Sequence, residues 1–426
     1  MAQDKVMNRW LAVVGAVLIQ LALGAIYAWS VFTPALIEAG WTRAQTQFVF
    51  SAGLASFAIV MVLAGRMMPK WGPRKLAVLG GIVLGLGYVL GGFATKGTPN
   101  PVMLILTIGI IGGSGIGLAY VVPIAVGMRW FPDKKGLITG LAVAGFGFGA
   151  LIWVKLAGAW GDLISSIGLA NTFIVYGVVF FLMVVIGGIW MVFPSEGWKP
   201  QGWVPPPPKT GQVAEGVNLV AGEMLRTPQF YMIFVIFVFS AGAGLMTIGL
   251  MKLFPIQALQ NAGMSQDAAN ATAGTAMAVF FSLANGIGRI AWGTMSDKLG
   301  RKLSVIIMCA TQGALLILFV PMAGTPALLF LAAALIGFNF GGNFALFPTM
   351  TADTFGAKFI GQNYPWVFLS YGVGGIFGPV LGGRLGDLEN FPLAFSICGV
   401  LLFVAAGVAA AVRPPQHETV TATAEA

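Results

Sequence analysis

The residue best placed to do chemistry is Arg289. It stands eight positions before Asp297, within the span stretch SLANGIGRIAWG, which is polar and Gly-rich on one side. At 1.5 Å per residue that is roughly 12 Å inside the end of a helix. A guanidinium at such depth costs at least about 2.5 kcal/mol to insert, and such residues face a cavity and mark substrate paths. No acidic residue near it in sequence would neutralise it. Arginine stays charged and presents paired donors that match a planar carboxylate. The reading adopted is therefore an anion seat; the alternative is a cap on backbone carbonyls between helices. Asn285 lies one turn away on the same face. Tyr120 and Tyr371 fall near mid-helix and combine an apolar ring with a hydroxyl, which suits a small hydroxy- or keto-acid. Phe344, Phe347 and Phe368 either close a small dry cavity or simply pack. Tyr27 divides evenly between lining and packing. Asn343 is either a pocket donor or an interhelical bond.

Such side chains need long apolar helices to hold them, and the composition supplies these. Of 426 residues, 58% are hydrophobic and 9% charged. A soluble domain carries roughly a quarter charged residues, so a soluble enzyme is excluded. The apolar runs are too continuous for a porin-type barrel. The expected fold class is an all-α polytopic membrane protein of twelve helices in two six-helix halves. Spans are expected at 10–36, 45–66, 76–96, 101–129, 136–158, 169–193, 228–259, 268–296, 302–322, 326–351, 360–387 and 391–412. The first follows MAQDKVMNR, is too long for a signal-peptide core, and is expected to be retained. The domains are then a bundle at 1–193, a cytoplasmic loop at 194–227 with Pro205 to Pro208 as an extended linker, a second bundle at 228–412 and a tail at 413–426.

Loop charges give orientation. With the N-terminus inside, 17 of the 23 Lys and Arg fall on inner segments and three (Arg43, Lys96, Arg384) on outer ones; Lys155, Lys252 and Arg289 fall within spans. That asymmetry puts both termini in the cytoplasm. It also accounts for the net charge of +9 without nucleic acid. Lys155 and Lys252 read as anchors reaching the outer boundary or as a cationic vestibule, and Arg384 is expected to pair with Asp387. Cys309 and Cys398 sit in apolar stretches, and the only histidine, His417, lies in the tail. No metal, cofactor or disulfide is expected, and no catalytic group that would make an enzyme.

The halves repeat weakly. GRMMPKWGPRK (Gly65 to Lys75) and GTMSDKLGRK (Gly293 to Lys302) are Gly-led basic turns 228 residues apart. RWFPDKKG, ending at Gly136, and TFGAKFIG, ending at Gly361, form a second pair. Repeated halves are a mark of transporters. The first pair resembles the loop motif of the major facilitator superfamily, Gly-x-x-x-Asp-Arg/Lys-x-Gly-Arg-Arg/Lys. Gly293, Asp297, Lys298, Gly300, Arg301 and Lys302 fulfil it; in the first copy Pro69 replaces the acid. The resemblance implies a conformational role, pairing helix ends at the inner face.

The stretches AIYAWSVF (25–32), RWFPDKKGLITGLAVAGFGFG (129–149), GEMLRTPQF (222–230), NGIGRIAWGTMSDKLGR (285–301) and ALFPTMTADTFGAKFIGQNY (345–364) together resemble the oxalate:formate antiporter family, which groups with the monocarboxylate transporters. The resemblance implies alternating access, a small carboxylate substrate, a proton as coupling ion, a monomer and an inner-membrane location. It assigns Arg289 to the carboxylate. The oxalate exchanger's eleventh-helix lysine matches Tyr371 here, so a dianion would meet one fixed cation, and leaving its second carboxylate unpaired is costly. A monocarboxylate such as lactate or pyruvate is therefore expected over oxalate, with carboxylate exchange as the alternative. The Asp that animal monocarboxylate transporters place four residues before the arginine is Asn285 here, and their first-helix lysine is missing, so the proton carrier is unassigned.

Overall fold

The computed structural model describes residues 7–41, 43–97, 99–158, 160–204, 218–251, 253–388, 390–413 and 415. Lys252, Glu389, His417 and Pro205 to Pro208 lie outside them, as does the side chain of Asp387, and with it the expected Arg384–Asp387 pair. The described residues are almost entirely helical, and eleven helices are long and apolar enough to cross a membrane. One, Arg43–Ala94, runs for 52 residues, or about 78 Å, more than twice the hydrocarbon thickness. It breaks at Gly72, whose φ of 75° is non-helical and is reached readily only by glycine. The break separates two spans, and the total becomes twelve.

Local sequence sets the ends. Asn100 and Thr227 accept hydrogen bonds from first-turn backbone N–H groups, and Pro101 and Pro228 follow as first helical residues. Proline fits there because that N–H has no helical partner.

Three expected spans differ in detail. The first, 10–36, is not one helix. It is an α-helix Arg9–Leu23, a 3-10 segment Gly24–Val31 and a short helix Thr33–Glu38. A side chain at Gly24 would overlap the carbonyl of Phe146, so the tighter segment coincides with a close backbone approach. The seventh, 228–259, ends its main helix at Leu250 and resumes as Leu253–Asn261. The eighth is longer than 268–296. It runs from Gln266–Thr275 through a π-helical turn Ala276–Phe281 into Ser282–Leu299, and so takes in Asp297.

The described residues group into two compact units: those of Met1–Asp133 with Leu141–Val204, and those of Lys134–Gly140 with Pro205–Ala426. In the first, Arg43–Ala94 packs against Gly113–Trp130 and Leu163–Gly188. In the second, Ser282–Leu299 packs on Pro326–Phe355, Pro228–Leu250 on Ile360–Asp387, and Arg301–Met322 on Phe391–Ala411.

Candidate substrate-binding site

The helix Ser282–Leu299 has two faces. Leu283, Ile287, Met295 and Leu299 are exposed, as lipid-facing residues are, whereas Asn285, Arg289, Trp292, Gly293 and Ser296 are buried. The buried set recurs every three to four residues, the helical period. That face lies hard against Pro326–Phe355. A Cβ at Gly341 would overlap the carbonyl oxygen of Asn285, and one at Gly288 that of Phe338. Small residues permit such backbone approach in membrane bundles. A polar relay fixes the same contact: Trp292 Nε1 donates to Asn339 Oδ1 at 3.2 Å, and Asn339 Nδ2 donates to Thr311 Oγ1 at 3.1 Å.

Arg289 therefore points inward and is only 2% exposed. Its Nε donates to Asn285 Oδ1 at 3.0 Å, and its guanidinium carbon stands 4.1 Å from the ring centroid of Phe344. Phe344 meets Tyr371 edge-on at 5.4 Å, and Tyr371 stacks on Phe368 at 5.2 Å. Five of the residues singled out in the sequence thus form one connected cluster. Stacking over an aromatic face stabilises a desolvated cation, and the amide oxygen of Asn285 takes up one of its five donors. The result is a fixed positive charge in an apolar wall, suited to a small planar anion.

Asn343 turns elsewhere. Its Oδ1 accepts from Ser240 Oγ at 2.5 Å, and its Nδ2 donates to the carbonyl of Phe340 at 3.1 Å, so of its two possible roles the interhelical bond is the one formed. Phe347 stacks on Phe237 at 4.0 Å, as packing. In the first unit Tyr120 and Tyr27 are both brought against Phe146, with centroids 5.3 and 5.2 Å apart, and Phe57 closes on Tyr120 at 5.0 Å. Gln20 Nε2 donates to the Tyr120 carbonyl at 3.1 Å. Phe146 and Gln20 were missed in the sequence, although a carboxamide inside the apolar run of the first helix was visible there.

The Gly293–Lys302 turn forms a charge cluster within the second unit. Asp297 accepts from the backbone N–H of Gly136 at 2.8 Å and of Leu137 at 2.9 Å. It thereby caps the first turn of Lys135–Ala157, where an anion also meets the positive end of the helix dipole. Arg301 bonds Asp297 at 2.5 Å, Ser296 Oγ, and Asp353 at 3.1 Å; Lys135 bonds the other oxygen of Asp353 at 3.1 Å. Gly300, at φ 88°, makes the turn, and Lys298 is exposed. Among the described residues no group of three or more His, Cys, Asp or Glu is placed to hold a metal.

A twelve-span helical protein with a buried cation in one half belongs in class with the secondary transporters, and comparison gives the family. The family model of the Major Facilitator Superfamily matches residues 12–269 and 249–426. This chain belongs to that superfamily and is a membrane transporter, not an enzyme. An uncharacterized transporter of the same type, YhjX of Escherichia coli, is 32% identical over 373 residues, covering 87% of this chain and 86% of that protein. The oxalate:formate antiporter of Oxalobacter formigenes is 28% identical, covering 96% of this chain and 92% of its own. The apicoplast pyruvate carrier 1 of Toxoplasma gondii is 25% identical, covering 85% and 81%. Among solved structures, the fucose:proton symporter FucP of E. coli superposes with a TM-score of 0.69 at 15% identity, over 95% of this chain and 98% of that one; it attests the fold.

Proposed function

We propose that this transporter carries small monocarboxylates, lactate and pyruvate among them, by alternating access and in symport with protons. The observation that carries the reading is Arg289: buried, oriented by Asn285, and held over Phe344. Its guanidinium forks onto the carboxylate. Tyr371 and Phe368 wall the carboxylate's surroundings. Asn343 supports the wall through Ser240. With Tyr371 where the oxalate exchanger has a lysine, the reading has one fixed cation for one carboxylate. Relatives named as monocarboxylate and pyruvate carriers support the substrate class. The proton could travel on the substrate itself, because entering an apolar cavity raises a carboxyl pKa, although Arg289 opposes that shift. The excess of Lys and Arg on alternate loops supports cytoplasmic termini in a bacterial inner membrane, and we take the unit of function to be the monomer, with domains at 1–193, 194–227, 228–412 and 413–426.

The test is uptake and counterflow in proteoliposomes with labelled mono- and dicarboxylates at two pH values. Lactate or pyruvate should accumulate under an inward proton gradient alone, and Arg289→Gln should abolish accumulation without loss of folded protein. Near-normal uptake by that variant overturns the assignment. A second reading, carboxylate exchange, is favoured by the 28% identity to the Oxalobacter antiporter. It requires internal counter-substrate, whereas symport does not.

A further inference from the structure

Within the second unit, the helices Ser282–Leu299 and Pro326–Phe355 meet through backbone contacts that repeat. A Cβ at Gly337 would overlap the carbonyl oxygen of Phe281, and one at Gly341 that of Asn285. The two glycines stand four residues apart, and so do Phe281 and Asn285, one turn of each helix. Small residues so spaced let membrane helices touch closely, but they do not say at which turn. One turn earlier on Pro326–Phe355, Ala333 and Gly337 would meet the same two carbonyls, with one methyl group to accommodate. Phe340 would then stand where Phe344 does now. Such a displacement is about 6 Å along the axis. It would take Arg289 off Phe344, the ring that meets Tyr371.

What does not repeat is the setting of Trp292, three residues past Arg289 on the buried face. Its Nε1 donates to Asn339 Oδ1 at 3.2 Å, and its ring lies against Gly342, where a Cβ would come within 2.6 Å of Cδ1. One turn earlier the corresponding residues are Leu335 and Phe338. Leucine has no acceptor for the indole N–H, and a buried donor left unbonded is costly. Phenylalanine would bring a side chain to the place that glycine leaves to the ring. An indole N–H only donates, so the oxygen of Asn339 must face it; the amide nitrogen donates to Thr311 Oγ1 at 3.1 Å. A single buried asparagine of this kind can fix the register of packed helices whose apolar contacts leave it open.

We propose that Asn339 is a positioning residue for transport. Through Trp292 it selects the helix register that seats Arg289 on Phe344, beside Tyr371. It acts through Trp292 and not on the substrate. The inference rests on the reading of Arg289 as the carboxylate's seat and deepens it.

The experiment uses the full-length protein in proteoliposomes with labelled lactate and pyruvate. Asn339→Leu strands the indole N–H. It should lower Tm and raise half-saturation about fivefold, the size of one hydrogen bond, with the limiting rate within about twofold. Trp292→Phe together with Asn339→Leu removes donor and acceptor at once. Tm should then recover, because no polar group is stranded, while half-saturation stays about fivefold high. That split separates positioning from a merely structural bond. Register is read without transport by thiol cross-linking. Phe280 and Phe330 stack across the two helices with centroids 4.6 Å apart, and the natural Cys309 and Cys398 are buried. Phe280→Cys with Phe330→Cys should cross-link when Trp292 and Asn339 are in place. Phe280→Cys with Pro326→Cys, one turn earlier, should cross-link only when both are replaced. A double variant that recovers both Tm and half-saturation overturns the proposal. So does cross-linking that is the same in both backgrounds. Should Asn339→Leu not fold, Trp292→Phe breaks the same bond from the other side, and an unchanged half-saturation there overturns the proposal equally. A wild type that carries neither acid overturns the monocarboxylate reading alone, and the cross-links then decide the register.

Discussion

The two Gly-led basic turns stand 228 residues apart, and their fates differ. In the second, Asp297 caps a helix start and Arg301 joins it to Asp353 and Ser296. In the first, the corresponding positions are Pro69 and Pro73. Lys70, Arg74 and Lys75 are exposed. Gly72 and Gly300, equivalent residues, both take positive φ, so the bend is common to both turns and the electrostatics are not. The same contrast runs deeper. The second unit holds the buried guanidinium of Arg289; the corresponding cluster of the first, around Tyr120, is neutral. One half carries the fixed charge, and the other offers shape and uncharged polar groups. A duplicated framework can thus keep its bend while the acid–base pairing and the buried guanidinium belong to one copy.

Substitutions can break this comparison. The largest effect is expected at the deep charge: Arg289→Gln should lower labelled lactate uptake by at least about 30-fold, in line with the about 2–5 kcal/mol at stake when one partner of a desolvated charge contact is removed. Phe344→Leu, which removes the ring under the guanidinium, should raise half-saturation about two- to fivefold, as a cation–π contact of about 0.5–1 kcal/mol implies. In the second turn, Asp297→Asn should cost about 1 kcal/mol of stability, because an amide has one acceptor oxygen where the carboxylate uses two for the N–H groups of Gly136 and Leu137, read as a lowered Tm in detergent. Pro69→Ala should leave Tm within about 1 °C. Installing charge in the first turn, with Pro69→Asp and Pro73→Arg together, sharpens the comparison. If the charges rather than the bend set the rate of conformational exchange, turnover should fall about two- to threefold. The smallest effect belongs to Lys298→Ala, an exposed residue, with uptake changed by less than about twofold.

The spans were legible because apolar runs of about 20 residues have few other uses. The depth of Arg289 was legible by counting from Asp297, and Asn285 by helical period. The 3-10 segment at Gly24–Val31 was not, since it coincides with an approach to Phe146 more than a hundred residues away. Nor was Phe344 under the guanidinium, because nothing local to either residue marks the pair. Nothing local marks Asp353, near the end of its helix, as a hub; only folding brings Lys135 and Arg301 to its two oxygens. Gln20 was missed because its bond to the Tyr120 carbonyl joins residues 100 positions apart.

Asp353 has a consequence for the conditions the protein tolerates. Its side chain is 3% exposed and is gripped from two sides. Mobile ions weaken charge pairs chiefly where they can crowd around them, and here they can approach only from the Lys135 side, which is 22% exposed. The clasp should lose little strength in brine, and any sensitivity of transport to ionic strength should originate in exposed cations such as Lys70, Arg74, Lys75 and Lys298.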